Sequence, residues 1–248
     1  YLIRECSEKK KDLNYILGVE KFPLSDTKYG LLSKKLDVLF NTNSVYAIDK
    51  GRLKENKSLI LRRGCYQDSK NSFLSVMASL QSISLEKYIE NLIEFLDPII
   101  FIKLNNGNLF KYFQSEKINY EEYISQFLIW CRTYPKIVAL LNLEKINGYT
   151  KSQFKLELLK PSKYKYKHNL KLLYDIYDAH ENYKRFICDM NIYKDYRFLW
   201  DLVCLENPYN TQFKNGINLF IFELSDDYKK AELLCPYADD KNNIYKQS

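Results

Sequence analysis

The sequence predicts an α+β fold, predominantly helical, with small β elements near the N-terminal third and near the C-terminus. Three observations carry this reading. Apolar residues recur at helical spacing through the middle of the chain, most persistently from 168 to 189. The run Ile217-Asn218-Leu219-Phe220-Ile221-Phe222-Glu223-Leu224 follows the turn pair Asn215-Gly216 and has strand composition. Hydrophobic residues make up 46% of 248 residues, enough to bury a core and against disorder of the whole chain.

Taken in order, residues 1–28 are polar and mixed, with Lys9-Lys10-Lys11 and Pro23, and read as an extended lead-in. Leu32, Leu36 and Leu39 are spaced for a short amphipathic helix over 30–40. Residues 41–57 are a polar loop carrying Gly51, and the apolar stretch 58–61 before Arg62-Arg63-Gly64 is a strand or a turn. Residues 69–81 place Phe73, Leu74, Met77 and Leu80 on one helical face, with Ser69 as candidate cap. Ser84 caps a helix to Leu96, and Asp97-Pro98 closes it, because proline disfavours helical geometry in the residue before it. After the apolar run 99–104, Asn105-Asn106-Gly107-Asn108 is a turn. Helices are expected over 120–131, with a break or new first turn at Pro135, and over 149–159, stopped by Pro161. Residues 168–189 form the longest periodic segment, 198–203 a short apolar helix or turn, and Ala231 to Cys235 is a candidate partner for the strand at 217–224.

No internal repeat or low-complexity linker marks a domain boundary. The expectation is one α-rich module, 1–248, with a working subdivision into 1–115 and 116–248. The chain opens on Tyr1 without an initiator Met and closes in a polar stretch, so it is read as a fragment of a longer protein. No apolar run approaches the roughly 20 residues that span a bilayer, and no secretory signal pattern is visible at the start.

Composition limits what lysine clusters can mean. The chain holds 22 Tyr and only 7 Gly, and Lys, Asn and Ile are heavily used. These favoured residues have AT-rich codons, so Lys is a default surface residue here. The six cysteines, Cys6, Cys65, Cys131, Cys188, Cys204 and Cys235, include no closely spaced pair, and neither His168 nor His180 lies near one in sequence. Structural zinc sites show paired ligands at short spacing. The expectation is therefore free thiols in a reducing compartment, no metal and no cofactor.

There is no GxSxG elbow, no Gly-rich phosphate loop and no HExxH helix. Glu121-Glu122, Asp226-Asp227 and Asp239-Asp240 are adjacent pairs, which point about 100° apart on a helix and do not converge on one reacting atom. A non-enzymatic chain is expected.

Basic residues offer the stronger signal. From Lys151 to Lys171 there are seven Lys (151, 155, 160, 163, 165, 167 and 171) against one acid, Glu157, a local charge of +6 in a chain of net +7. Tyr164 and Tyr166 interleave with Lys163, Lys165 and Lys167. Such a segment can neutralise phosphates without sequence preference while its aromatics stack on bases or pack beneath the backbone, or it can be a solvated face. Arg62 and Arg63 are less easily assigned to composition, since the guanidinium fork matches phosphate and guanine edges; a buried salt bridge is the competing explanation. Lys70 stands just ahead of a helix start, where a cation opposes the helix dipole unless an anion also binds. The candidate DNA-binding residues are thus Arg62, Arg63, Lys70, Lys163, Lys165 and Lys167.

Several phrases occur in order along the chain: Phe22-Pro23-Leu24, then Tyr29-Gly30-Leu31-Leu32, then Leu61-Arg62-Arg63-Gly64 with Ser69-Lys70-Asn71-Ser72-Phe73-Leu74. Asn106-Gly107-Asn108-Leu109, Leu199-Trp200-Asp201-Leu202, Gly216-Ile217-Asn218-Leu219 with Glu223-Leu224, and Leu234-Cys235-Pro236 complete the set. Together they resemble the early transcription factor large subunit of nucleocytoplasmic large DNA viruses. The resemblance implies a viral transcription initiation factor that binds early-promoter DNA and helps recruit the viral multisubunit RNA polymerase. Its implied partners are promoter DNA, that polymerase and a helicase-like ATPase small subunit, which would carry the ATPase chemistry. It also implies a Cys-rich segment upstream of Tyr1 and a location in the virion and the host cytoplasm. The rival readings are a protein-interaction scaffold that contacts polymerase or the ATPase without touching DNA, and an enzyme domain of nuclease or nucleotidyltransferase type.

Overall fold

In the computed structural model, which describes residues 15–42, 47–54, 60–65, 68–116, 120–159, 164–210, 212–224 and 231–234, the chain divides into two units. The first comprises residues 1–68 and 220–248, the second residues 69–219. The division expected at 115/116 falls inside the second unit. Local patterning did not show that the C-terminal strands return to the N-terminal segment.

The first unit is built on backbone pairing. Strands β1 (Ile16–Leu17), β2 (Tyr29–Leu31) and β5 (Leu61–Arg63) form one sheet. β1 runs parallel to β2 and β5 antiparallel to it, with Gly30 opposite Arg62. Gly30 and Leu31 therefore lie in a strand, and the expected helix shrinks to α1 (Lys34–Leu39), which buries no residue. A hairpin, β3 (Ile48–Asp49) and β4 (Arg52–Leu53), turns through Lys50 (φ 47°) and Gly51 (φ 79°) within the expected polar loop. Two positive φ values in a two-residue turn match the twist of an antiparallel pair. The pair β6 (Ile221–Leu224) and β7 (Ala231–Leu234) is antiparallel, with Ile221 opposite Leu234. Gly64 is obligatory by close approach, since a Cβ there would lie 1.9 Å from the Ser25 carbonyl oxygen. The buried apolar side chains among the described residues of this unit are few: Ile16, Leu24, Leu32 and Ala47.

The second unit is helical. Its described elements are α2 (Ser72–Leu80), α3 (Leu85–Phe95), α4 (Pro98–Phe101), α5 (Leu109–Phe113), α6 (Tyr120–Thr133), α7 (Pro135–Leu140), α8 (Lys151–Leu159), α9 (Tyr164–Cys188) and α10 (Tyr196–Cys204). Turns of 3-10 helix occupy Leu104–Gly107 and Glu144–Gly148. Caps explain several starts. The Ser84 hydroxyl accepts from the Lys87 N–H at 3.2 Å. Asp97 accepts from the Ile100 N–H at 2.7 Å, with Pro98 in the first turn, so Asp97-Pro98 both ends α3 and begins α4. The cap of α2 is Asn71 rather than Ser69. Asn105, Asn106 and Gly107 all take positive φ, which makes the expected turn.

Two apolar clusters fill this unit. Leu74 and Met77 of α2, Tyr88 and Leu92 of α3, Phe101, Leu104 and Leu109 pack with Tyr183, Ile187, Leu199 and Leu202. Ile124, Phe127 and Trp130 of α6, Ile137 and Val138 of α7, and Phe154 of α8 pack with Leu170, Leu173 and Tyr174. At 25 residues, α9 spans about 37 Å. Its first half serves the second cluster and its last two turns the first.

Candidate nucleic-acid interface

Arg62 and Arg63 are consecutive on β5, so their side chains leave opposite faces of the sheet. The Arg62 guanidinium is tied to its own unit. Nε donates to the Leu31 carbonyl at 2.5 Å, and Nη2 faces the carbonyls of Gly18, Val19 and Lys21 at 3.3–3.4 Å. The guanidinium also stands 5.8 Å from the centre of the Phe22 ring. Partial burial lowers its pKa, opposed by the charge of Glu20. With Nε and Nη2 turned to backbone carbonyls, Arg62 acts first within its own unit. It staples the 18–21 segment to the β2–β5 pair. Arg63 is exposed.

Lys70 lies in the second unit, exposed, in the turn before α2. Its backbone carbonyl accepts from the Lys194 N–H at 2.7 Å, and the neighbouring Asn71 Nδ2 donates to the Met190 carbonyl at 3.1 Å. Chain segments more than a hundred residues apart thus meet at Lys70. Arg63 belongs to the first unit and Lys70 to the second.

Lys163 lies outside the described residues. Lys165 falls in the first turn of α9, and Lys167, two residues on, is exposed. Lys171 is exposed at i+4 from Lys167, so the pair shares a face of α9. Lys151 and Lys155 form a like pair, both exposed, on α8. No acid stands in the first turn of α9, whereas Asp175, Asp178 and Glu181 lie further along it. A capping box starts α8: the Thr150 N–H donates to Gln153 Oε1 at 2.8 Å, and the Gln153 N–H to Thr150 Oγ1 at 3.3 Å. The Phe127 ring packs on Phe154 of α8 at 5.5 Å and on Tyr174 of α9 at 4.9 Å, so the two basic helices rest on a shared aromatic support.

Of the two tyrosines among the lysines, Tyr166 turns toward the core. It is half-buried, packs against the second cluster with Tyr149, and its hydroxyl is enclosed, which raises its pKa through burial first and the Tyr149 neighbour second.

Several polar residues that the sequence did not single out are structural. Lys194 is 2% exposed, and its ammonium donates to the carbonyls of Phe186 (2.5 Å), Asp189 and Ile192 (3.2 Å). These carbonyls close the end of α9, where the helix dipole favours a cation. Arg132 ties α6 to the Asn147 and Tyr149 carbonyls at 3.1 and 2.8 Å. Asp178 accepts from the backbone N–H and the hydroxyl of Ser115 at 2.7 and 3.0 Å. A lysine or aspartate in such a role carries no local sequence signal, because its partners are distant carbonyls and amides.

Among the described residues there is no group of three or more His, Cys, Asp or Glu side chains placed to hold a metal ion. No described helix is long and apolar enough to cross a membrane. No protein-family model, curated protein or solved structure matches this chain.

Proposed function

We propose that the chain is part of a viral early-promoter-binding transcription initiation factor, and that it holds DNA through phosphate contacts without performing chemistry itself. The observation that supports this best is the pairing of exposed lysines on α8 (Lys151 and Lys155) and the start of α9 (Lys167 and Lys171). Four ammonium groups at helical spacing on adjacent basic segments give affinity that is steeply salt-dependent and indifferent to sequence. Arg63 adds a cation in the other unit. Promoter preference, recruitment of the viral RNA polymerase and association with a helicase-like ATPase follow from the resemblance described above, as does the absence of ATPase or nuclease activity.

A scaffold role without DNA contact is favoured by one specific observation. Ile129 on α6, Leu140 on α7 and Leu156 on α8 are each at least 60% exposed around the same cluster. Apolar side chains left in water on neighbouring helices are the usual mark of a protein partner. The deciding experiment titrates the chain with early-promoter and scrambled duplexes across a salt series, alongside capture of the ATPase subunit. Salt-dependent binding to both duplexes supports the DNA reading. No binding at low salt, together with capture of the ATPase, overturns it in favour of the scaffold. Measured ATP turnover or DNA cleavage, lost on a point change within the chain, would remove the non-enzymatic part of the proposal.

A further inference from the structure

His180 lies in α9 where the two apolar clusters of the second unit meet, and it is fully buried. Trp130 Nε1 approaches His180 Nδ1 at 3.1 Å, and His180 Nε2 approaches the Leu96 carbonyl oxygen at 3.2 Å. An indole nitrogen only donates and a carbonyl only accepts. Nε2 therefore carries the hydrogen and Nδ1 offers its lone pair, which defines a neutral imidazole. A Glu181 carboxylate oxygen lies 3.3 Å from the same Nδ1. That nitrogen thus has two neighbours of opposite demand: Trp130 requires a bare nitrogen, and Glu181 requires an N–H.

We propose that His180 is a proton-operated exchange, in which the neutral ring accepts from Trp130 and the protonated ring donates its new N–H to Glu181, leaving the Trp130 indole without its acceptor. One proton is taken from solvent, one hydrogen bond is broken and one is made. Each partner is already in place. Glu181 is half-buried with Lys184 Nζ at 3.7 Å, and Lys184 donates to the Tyr134 hydroxyl at 2.9 Å. From α4 the Phe101 ring faces the imidazole at 5.6 Å, and Tyr134, following α6, faces it at 5.6 Å. The titratable or charged groups grouped about His180 are therefore Glu181, Lys184 and Tyr134. Trp130 belongs to one cluster, and Leu96 and Phe101 to the other. The exchange acts on the joint between them.

The direction with pH follows from burial. Desolvation holds the His180 pKa below its ordinary value, and the hydrogen bond with Glu181 opposes this. The Glu181 carboxyl is pushed up by its own burial, yet His180 and Lys184 together hold it below the usual carboxylate range. The unfolded chain takes up the histidine proton near pH 6.5. The Trp130 contact is therefore fully present above about pH 6.5 and is lost as pH falls through the lower folded value.

The chain has two tryptophans and two histidines, which makes the test clean. In a Trp200→Phe background, Trp130 fluorescence is followed from about pH 8 to about pH 4 with far-ultraviolet circular dichroism in parallel. The expected result is a one-proton drop in emission below pH 6.5 while helicity is retained. Glu181→Gln should move the midpoint to lower pH, because the receiving carboxylate is gone. His180→Gln should abolish the step, since an amide can accept from Trp130 and donate to Leu96 without titrating. Proton NMR of the two imidazoles in the unaltered chain supplies a measurement independent of that variant's folding: one ring should titrate below its ordinary pKa. A step that survives His180→Gln, an unchanged midpoint in Glu181→Gln, a His180 ring that stays neutral until the chain unfolds, or emission loss that coincides with loss of helicity would each overturn the proposal. None of these outcomes depends on DNA binding, so the two proposals stand or fall separately.

Discussion

Adjacent residues of β5 have different tasks, and the difference is measurable. Arg62 donates to several carbonyls of its own unit, whereas Arg63 is exposed on the opposite face. Arg62→Ala should lower stability by about 1 kcal/mol, because part-buried carbonyls lose their donor, and any loss of DNA binding should follow unfolding. Arg63→Ala should leave the denaturation midpoint unchanged and reduce DNA affinity. Equal loss of stability in both would refute the division of roles. Lys194 poses the same question for the second unit. A methionine fills a similar volume but leaves the carbonyls of Phe186, Asp189 and Ile192 without their cation. Lys194→Met should cost on the order of 3 kcal/mol, read as a clear fall in melting temperature. A surface lysine would show almost none. The sequence made Arg62 conspicuous because arginine is scarce, yet it could not show where the guanidinium goes. Lys194 was invisible, since one lysine in a Lys-rich chain looks like any other until its carbonyl partners are known.

At the level of elements, legibility followed the range of the forces involved. Ser84 and Asp97-Pro98 announced their helices because a cap is made within three residues, and both bonds are present. The pairing of Ala231–Leu234 with the strand before it was readable from alternation and a nearby return. The β2 strand was not, because Tyr29-Gly30-Leu31 gains its bonds from Ile16–Leu17 and Leu61–Arg63. Leu32, one residue beyond it, keeps helical spacing with Leu36 and Leu39, and tertiary pairing overrode that pattern at Gly30 and Leu31. Of the lysine segment, the charge was legible and its presentation was not: Tyr166 turns inward, while Lys167 and Lys171 share a face. If those two ammonium groups each neutralise a phosphate, Lys167→Ala/Lys171→Ala should reduce the slope of log affinity against log salt by about 2. The decrease should be the same on promoter and scrambled DNA. An unchanged slope would leave α9 as a solvated face and favour the exposed apolar side chains of α6, α7 and α8 as the functional surface.

For the whole molecule, the boundary expected at 115/116 and the division at 68/69 and 219/220 make different predictions, which yields a sharp test. A cut at 115/116 would separate α2, α3, α4 and α5 from the last two turns of α9 and from α10. Yet Leu74, Met77, Leu92, Phe101 and Leu109 form one cluster with Tyr183, Ile187, Leu199 and Leu202. The Asn105 N–H donates to Asp201 at 2.7 Å, so a polar group is closed across the same gap. The ends of the second unit are likewise fastened within it, by Lys194 N–H to the Lys70 carbonyl at 2.7 Å and Ile217 N–H to the Cys204 carbonyl at 3.1 Å. A fragment of residues 69–219 therefore keeps both clusters and should unfold cooperatively, with a fixed near-ultraviolet signal from its aromatic side chains. A fragment of residues 116–248 keeps one cluster and exposes the apolar faces of α10 and the end of α9. It should bind a hydrophobic dye and lack the near-ultraviolet signal, as expanded states with residual helix do. If 116–248 instead melts as sharply as 69–219, the first cluster contributes little to folding and the division at 68/69 and 219/220 is not the one the chain uses.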